Sequence, residues 1–295
     1  MVYMEKPCCL TMEQCNKVYY IILFFCIYMR EGIYMNNSWN KKKKIEEIKV
    51  KGFCILDNFL SKEDLDKIKN SLLKALHYIQ PDDEKDLQKK YYKIKKYNPK
   101  LKGNWYDIAG RDINLLQFLH QPVLVDTVKE YFNTEVIYSG RPCIGIYDDE
   151  NDKLLDPHQE TQQLSRDSIL FWAPLYDTNK NTGGLVIFKD SHKHGYFDHT
   201  LEHPLGDKGW TKAYTHVDPS ISKRFERIEL EVKAGSVVLI QSSVLHCGYP
   251  TKTKGSVRIT ICERYNPLQK IPYLKNENAP LKIPYVGVDY NKILD

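Results

Sequence analysis

Residues 227–265 read RIELEVKAGSVVLIQSSVLHCGYPTKTKGSVRITICERY. Three runs rich in Val, Ile and Leu, at 227–233, 236–241 and 256–265, are parted by Ala234-Gly235 and by a turn-forming stretch from Pro250 to Gly255. β-Branched residues bounded by glycine and proline favour strands over helices. Working back toward the N-terminus, similar texture recurs at 184–189, 168–176, 153–160 and 135–147, with turn clusters at 148–152 and 179–184. Seven or more short strands, with no repeat or low-complexity linker between them, predict a sandwich, jelly roll or barrel.

Upstream of the strands the period changes. Residues 51–59, KGFCILDNF, read as a strand, and Ser61 then opens a helix with Asp64 three residues on, a capping-box-like start. Leu65, Ile68, Leu72, Leu76 and Ile79 follow at helical spacing until Gln80-Pro81 ends the run. A second helix is expected from Pro122 to Phe132, with Val125, Val128 and Phe132 on one face. The expected architecture is mainly β with helices buttressing one sheet. It forms one catalytic-size domain over 49–266, with the tail 267–295 packed on its surface.

Composition narrows the function classes. With 295 residues, 42% hydrophobic and 27% charged, the chain is neither disordered nor collagen-like. The net charge is +5, yet residues 85–102 hold eight lysines against one acid, Asp86, a local +7. A nucleic-acid role would rest on this segment alone, where Tyr91, Tyr92 and Tyr97 interleave with the lysines; solvated lysines are the expected outcome, and no nucleic-acid partner is expected. The segment reads as a loop or exposed helix without an apolar stripe strong enough to bury, and as a mobile lip that would favour anionic substrates. Eight cysteines contain no C-x-x-C pair; Cys54, Cys143, Cys247 and Cys262 lie in apolar runs, which predicts free thiols and a reducing, cytoplasmic compartment. Residues 18–28, VYYIILFFCIY, are too short for a stable membrane span and lack a following small-residue cleavage site. Residues 1–35 therefore read as a signal-like extension or as an upstream start, with Met29 or Met35 the expected beginning, and are set apart from the fold.

Nine histidines and 38 acidic residues produce some metal-like patterns by chance. His199-Thr-Leu-Glu202-His203 spells H-x-x-E-H, but Pro204 and the flanking Gly195, Gly206 and Gly209 deny it the helix that a zinc peptidase needs, so surface histidines in a loop are expected. His216-Val-Asp218 lies in the same turn-rich stretch and is read likewise. His158-Gln-Glu160 closes a strand candidate, and residues at i and i+2 of a strand share a face. With His246, 88 residues on, the pair makes the two histidines and one carboxylate of a facial triad, the donor set of non-haem Fe(II). Arg258 begins the last strand, where a guanidinium can pair bidentately with a dicarboxylate. Spacing alone leaves open whether these are ligands or satisfied core histidines.

The chain resembles the phytanoyl-CoA dioxygenase family of Fe(II)- and 2-oxoglutarate-dependent oxygenases. PHQE at 157–160 is similar to the family's H-Q-D, and SILFWAPL at 168–175 to its hydrophobic strand with a tryptophan. NTGGLVIFKDSHK at 181–193 resembles its N-G-x-L…G-S-H-K stretch, and Gly235-Ser236 through His246 its G-D…H strand pair. The resemblance implies a double-stranded β-helix, a cupin-like jelly roll with helices outside. It implies that His158, Glu160 and His246 ligate Fe(II), that Arg258 anchors 2-oxoglutarate with Thr260 adding a hydroxyl, and that Trp172 lines the cosubstrate pocket or serves as a core aromatic. The implied reaction uses O2 to hydroxylate a small molecule with release of succinate and CO2. The competing reading is a non-catalytic jelly-roll binding module, kept open by Glu160, which stands where the family usually has aspartate.

Overall fold

The apolar runs of the sequence become the inner layers of two stacked sheets. A computed structural model describes residues 40–140, 142–150, 156–161, 164–200, 216–271 and 275, all within one unit spanning Trp39–Asp295. The extension 1–35, residues 201–203 of the H-x-x-E-H pattern and most of the tail 267–295 lie outside the described residues.

Among the described residues six helices precede the main strands, where the sequence predicts two. Helix α1 (Lys41–Lys51) is capped by Asn40, whose side chain accepts from Lys43 N, and it ends at Gly52, whose φ of 84° is left-handed. Only Ile45 and Ile48 face inward, too few to make a periodic signal among its lysines. Strand β1 (Phe53–Leu56) follows, and then α2 (Lys62–Ile79), which begins at the Ser61 cap and buries Leu65, Ile68, Leu72 and Leu76.

The lysine-rich segment is a correction to the sequence reading. It forms α3 (Leu87–Tyr97) and α4 (Pro99–Ala109), joined by Asn98, which terminates one helix and caps the next. Leu87, Tyr91 and Ile94 from α3 and Trp105 from α4 are buried in the main core. Lys90 is fully buried, with its ammonium 2.8 Å from Asp82 and donating to Gln80 O. The apolar stripe is thus strong enough to bury. Short α5 (Ile113–Leu119) leads into α6 (Pro122–Phe132), which buries Leu124, Thr127 and Val128; Val125 and Phe132 of the expected face are only half-buried.

The strands are β2 (Ile137–Ser139), β3 (Cys143–Asp148), β4 (Ile169–Pro174), β5 (Gly184–Phe188), β6 (His199–Thr200), β7 (His216–Val217), β8 (Arg227–Leu230), β9 (Val237–Gln241), β10 (His246–Tyr249) and β11 (Val257–Pro267), with a one-turn α7 (Pro219–Ser222) before β8. The expected strand 135–147 is split in two; Gly140 there donates to Arg264 O, and Pro142 has no amide hydrogen to continue a ladder. The large sheet runs β1-β9-β4-β11-β2, with β3 on the N-terminal half of β11; the small sheet runs β10-β5-β8, and β6 pairs with β7. All the pairings are antiparallel.

This is the mainly β, jelly-roll architecture with flanking helices. One face of the large sheet (Ile144, Phe171, Leu239, Ile259, Ile261) packs on α2 to α5. The other meets the small sheet through Leu170, Trp172, Leu185, Ile187, Val238 and Ile240. Strands β4 and β5 are buried on both faces, which is why they read as continuous rather than alternating apolar runs. Among the described residues no helix is long and apolar enough to cross a membrane.

Candidate metal centre

Alternation along each strand decides what lines the space between the sheets. On β11, Val257, Ile259 and Ile261 turn to the helices, so Arg258, Thr260, Cys262 and Arg264 turn inward. Opposite them on β3, Ile144 also faces the helices, which sends Cys143, Gly145 and Tyr147 to the inner side in register with Cys262, Thr260 and Arg258. The interior is therefore divided: apolar where β1, β9, β4 and β5 meet, polar along β3 and β11.

His158 and Glu160 do not lie in a formed strand, as the sequence reading supposed. Pro157 has no amide hydrogen, and the segment makes only a single bridge to the start of β10: His158 N donates to His246 O and His246 N to His158 O, both at 3.0 Å. Glu160 N donates to Ser242 O at 3.0 Å. Their shared face is kept by these bonds rather than by a ladder. Gln159, pointing the other way, ties the segment down through Nε2 to Gly195 O (2.8 Å) and Ser243 O (2.6 Å), while its Oε1 accepts from Phe197 N. The start of β10 is propped in turn by Ser191, whose hydroxyl accepts from Leu245 N at 2.9 Å.

The three predicted ligands converge. One donor atom each from His158, Glu160 and His246 falls within 4.8 Å of the others, and all three residues are buried. Nδ1 of His158 donates to Asp156 O at 2.8 Å and Nδ1 of His246 to Val244 O at 2.9 Å. Each imidazole thus spends one nitrogen on a carbonyl, which makes Nε2 the nitrogen that could ligate a metal. Nε2 of His246 is 3.6 Å from Glu160 Oε1. Burial, reinforced by the neighbouring His246, pulls His158 down to about 3, so that ring is neutral. Burial alone would raise Glu160, but the Arg264 guanidinium and His246 hold it well below the usual carboxylate range. Two imidazoles and one ionised carboxylate, buried together with a donor atom from each within 4.8 Å of the others, are a donor set fitted to a divalent ion.

Arg258 lies a strand length away. It is buried, donates through Nη1 to Gly184 O and to Tyr249 O (3.3 Å), and sits 4.4 Å from the Tyr147 ring centroid. Its buried Nε has no hydrogen-bond partner. Thr260, one pleat along, donates to Gly145 O at 3.2 Å. Trp172 is packed in the inter-sheet apolar cluster, beside Cys262 in the β4–β11 register. A separate cavity of about 300 Å³ is lined by Lys49, Tyr131, Asp167, Tyr196, Ser243 and Lys270, and by neither the triad nor Arg258.

Two of the histidines set aside as surface residues, His199 and His216, are not at the surface. His199 is half-buried: its Nε2 accepts from Gln159 N at 3.1 Å, its Nδ1 donates to Phe197 O, and burial lowers its basicity. His216 is buried on β7. The sequence reading also missed Arg264, which forks onto Glu160 with Nε to Oε2 at 3.1 Å and Nη2 to Oε1 at 3.0 Å. Its signal was present: six residues beyond Arg258, an even offset puts both arginines on one face of a strand. Cys143, directly across from Cys262, was read only as an apolar thiol; a hydrogen bond from Cys262 and the Arg264 charge lower its basicity.

Comparison with known proteins locates this geometry. The family model described as Phytanoyl-CoA dioxygenase (PhyH) matches residues 48–260. The chain belongs to the phytanoyl-CoA dioxygenase family. It is accordingly a non-haem iron- and 2-oxoglutarate-dependent oxygenase in class, and the buried His158, Glu160 and His246 are its candidate iron site. No curated protein matches the chain significantly. Among solved structures, the non-haem α-ketoglutarate-dependent carbocyclase SnoK from nogalamycin biosynthesis superposes with a TM-score of 0.53 at 12% identity, covering 77% of this chain and 84% of its own. The epimerase SnoN, in complex with Fe3+, α-ketoglutarate and nogalamycin RO, gives 0.52 at 10% identity over 84% and 94%. AviO1 from Streptomyces viridochromogenes Tue57 gives 0.51 at 14% identity over 78% and 96%. At these identities the likeness is one of fold, and it agrees with the family's jelly roll.

Proposed function

We propose that this phytanoyl-CoA dioxygenase family member hydroxylates a small molecule at a His158–Glu160–His246 iron centre, with 2-oxoglutarate as cosubstrate. The observation that carries the reading is the buried convergence of two imidazoles and one ionised carboxylate, a set that leaves open positions on an octahedral ion. When bound, Fe(II) and 2-oxoglutarate supply the O2 chemistry, with succinate and CO2 as by-products. The chain's own residues supply the rest. Asp156 O and Val244 O hold the imidazole tautomers, and the low basicity of His158 keeps protons from competing for its lone pair.

Arg258 is assigned to the distal carboxylate of the cosubstrate. His246 and Tyr249 lie three residues apart on β10, about 10 Å, and Arg258 donates at the Tyr249 end. A five-carbon dicarboxylate held at one end by the metal spans much of that length. The orphaned Nε and the fixed fork suit a carboxylate, and Thr260 Oγ1 shares the inward face. Trp172 is assigned to the apolar wall of the same space. Residues 49–266 are assigned as the catalytic domain because they carry every residue given a role here.

The test is release of succinate from 2-oxoglutarate by purified protein with Fe(II), across a panel of small molecules, for wild type and Glu160→Ala. Wild type should release succinate and show raised release with a true substrate, and Glu160→Ala should do neither. A wild-type protein that binds no Fe(II) and releases no succinate would leave the binding-module reading in possession.

A further inference from the structure

Glu160 reaches the histidines through a side chain with three torsions, and one residue grips both of its buried oxygens. Arg264 donates from Nε to Oε2 at 3.1 Å and from Nη2 to Oε1 at 3.0 Å. Its remaining nitrogen, Nη1, donates to Cys143 Sγ at 3.4 Å. We propose that Arg264 is a positioning residue for the metal: its fork sets the plane and reach of the Glu160 carboxylate, so that Oε1 is presented to the two imidazoles. The inference rests on the oxygenase reading above.

The geometry of the shared oxygen carries the argument. Oε1, the atom taken by Nη2, is also the atom 3.6 Å from His246 Nε2. An ionised carboxylate offers about four lone-pair directions. A side-on fork engages both oxygens at once and so fixes the direction in which Oε1 faces the His246 ring. The guanidinium is itself steady, because Arg264 projects from β11, hydrogen-bonded to β4 opposite Leu170, and not from a loop. A planar fork fixes a carboxylate at two points, where an ammonium would fix it at one.

Charge alone predicts the opposite effect, which makes the inference testable by sign. A guanidinium beside a dication repels it, so a purely electrostatic role would mean that removing Arg264 tightens metal binding. A positioning role means that removal loosens it. The experiment titrates the full chain, without oxygen, with Co(II) as the probe, reading affinity by calorimetry and coordination by visible absorption. Arg264→Leu and Arg264→Lys are compared in the wild-type and Glu160→Ala backgrounds, with melting temperatures alongside.

Both Arg264 variants should lose about 10- to 100-fold in Co(II) affinity, the range found for residues that orient metal ligands. Neither should lose more in the Glu160→Ala background, where only the residual two-histidine affinity is left to measure. If Arg264→Leu fails to fold around an unpaired Glu160, Arg264→Lys keeps the buried charge, loses the fork and answers the same question. Affinity that is unchanged or tighter in Arg264→Leu overturns the inference while leaving the oxygenase reading intact. So does a loss that persists without Glu160. Wild-type protein that takes up no Co(II) overturns the oxygenase reading and this inference together.

Discussion

Glu160 concentrates the chemistry of the site in one side chain, because it is the single anion among the three donors. Glu160→Ala should abolish Fe(II) retention and succinate release while the fold survives, checked by iron content and thermal melting; a variant that keeps its iron would remove Glu160 from the ligand set. Glu160→Asp draws the carboxylate back from the Arg264 fork, so metal affinity and coupled turnover should both fall; improved turnover would mean that the pocket is not shaped around glutamate. His158 makes the metal-free protein sensitive to acid. Its folded value is about 3, against an ordinary 6.5, so between these values the unfolded chain binds more protons and stability falls as pH falls. From pH 6.5 to 5 the loss is about 2 kcal/mol. His158→Asn, which can keep the bond to Asp156 O, should flatten that limb of a urea-midpoint profile, and parallel profiles would refute the assignment.

Among the elements, the helix pair α3–α4 is where sequence and structure part most clearly. The stripe Leu87, Tyr91, Ile94 and Trp105 was in the sequence, but eight lysines and a break at Asn98-Pro99 hid it. Lysine stems cover apolar surface readily, and Lys90 is buried outright against Asp82, so counting charges misjudges exposure here. Tyr91 ties the pair to the end of β3 through a 2.9 Å bond to Asp148. Ile94→Ala should therefore cost about 2–5 kcal/mol, the usual range for truncating a buried branched side chain, read from the denaturant midpoint; a change below about 0.5 kcal/mol, the size of an ordinary surface substitution, would return the segment to the role of a surface flap. By contrast α2 was legible because its Ser61 cap, its apolar spacing and its proline stop agree with one another.

At the scale of the molecule, two sheets supply different halves of one reaction space. The small sheet brings His246 and the large sheet brings Arg258 and Arg264. The histidines and Glu160 were legible because their spacing and neighbours match a family pattern. The triad's props were not: Val244 acts through its carbonyl, which leaves no mark on residue type, and Ser191 and Gln159 use ordinary polar side chains on backbone groups 54 and 84 residues away in the sequence. Because the two anchors sit apart, they should fail separately. Arg258→Lys keeps charge but loses the fork, so 2-oxoglutarate affinity should drop with Co(II) affinity unchanged, measured by calorimetry; an equal loss of both would make Arg258 a structural residue. The length of β11 carries a further consequence, for how this gene can change. Arg258 and Arg264 are six steps apart on one continuous strand, about 20 Å, with partners on both sides. One codon inserted between them would turn one arginine out toward the helices. Two would restore the facing but stretch the interval by about 7 Å. Drift by insertion is thus open to the loops and closed to this ruler.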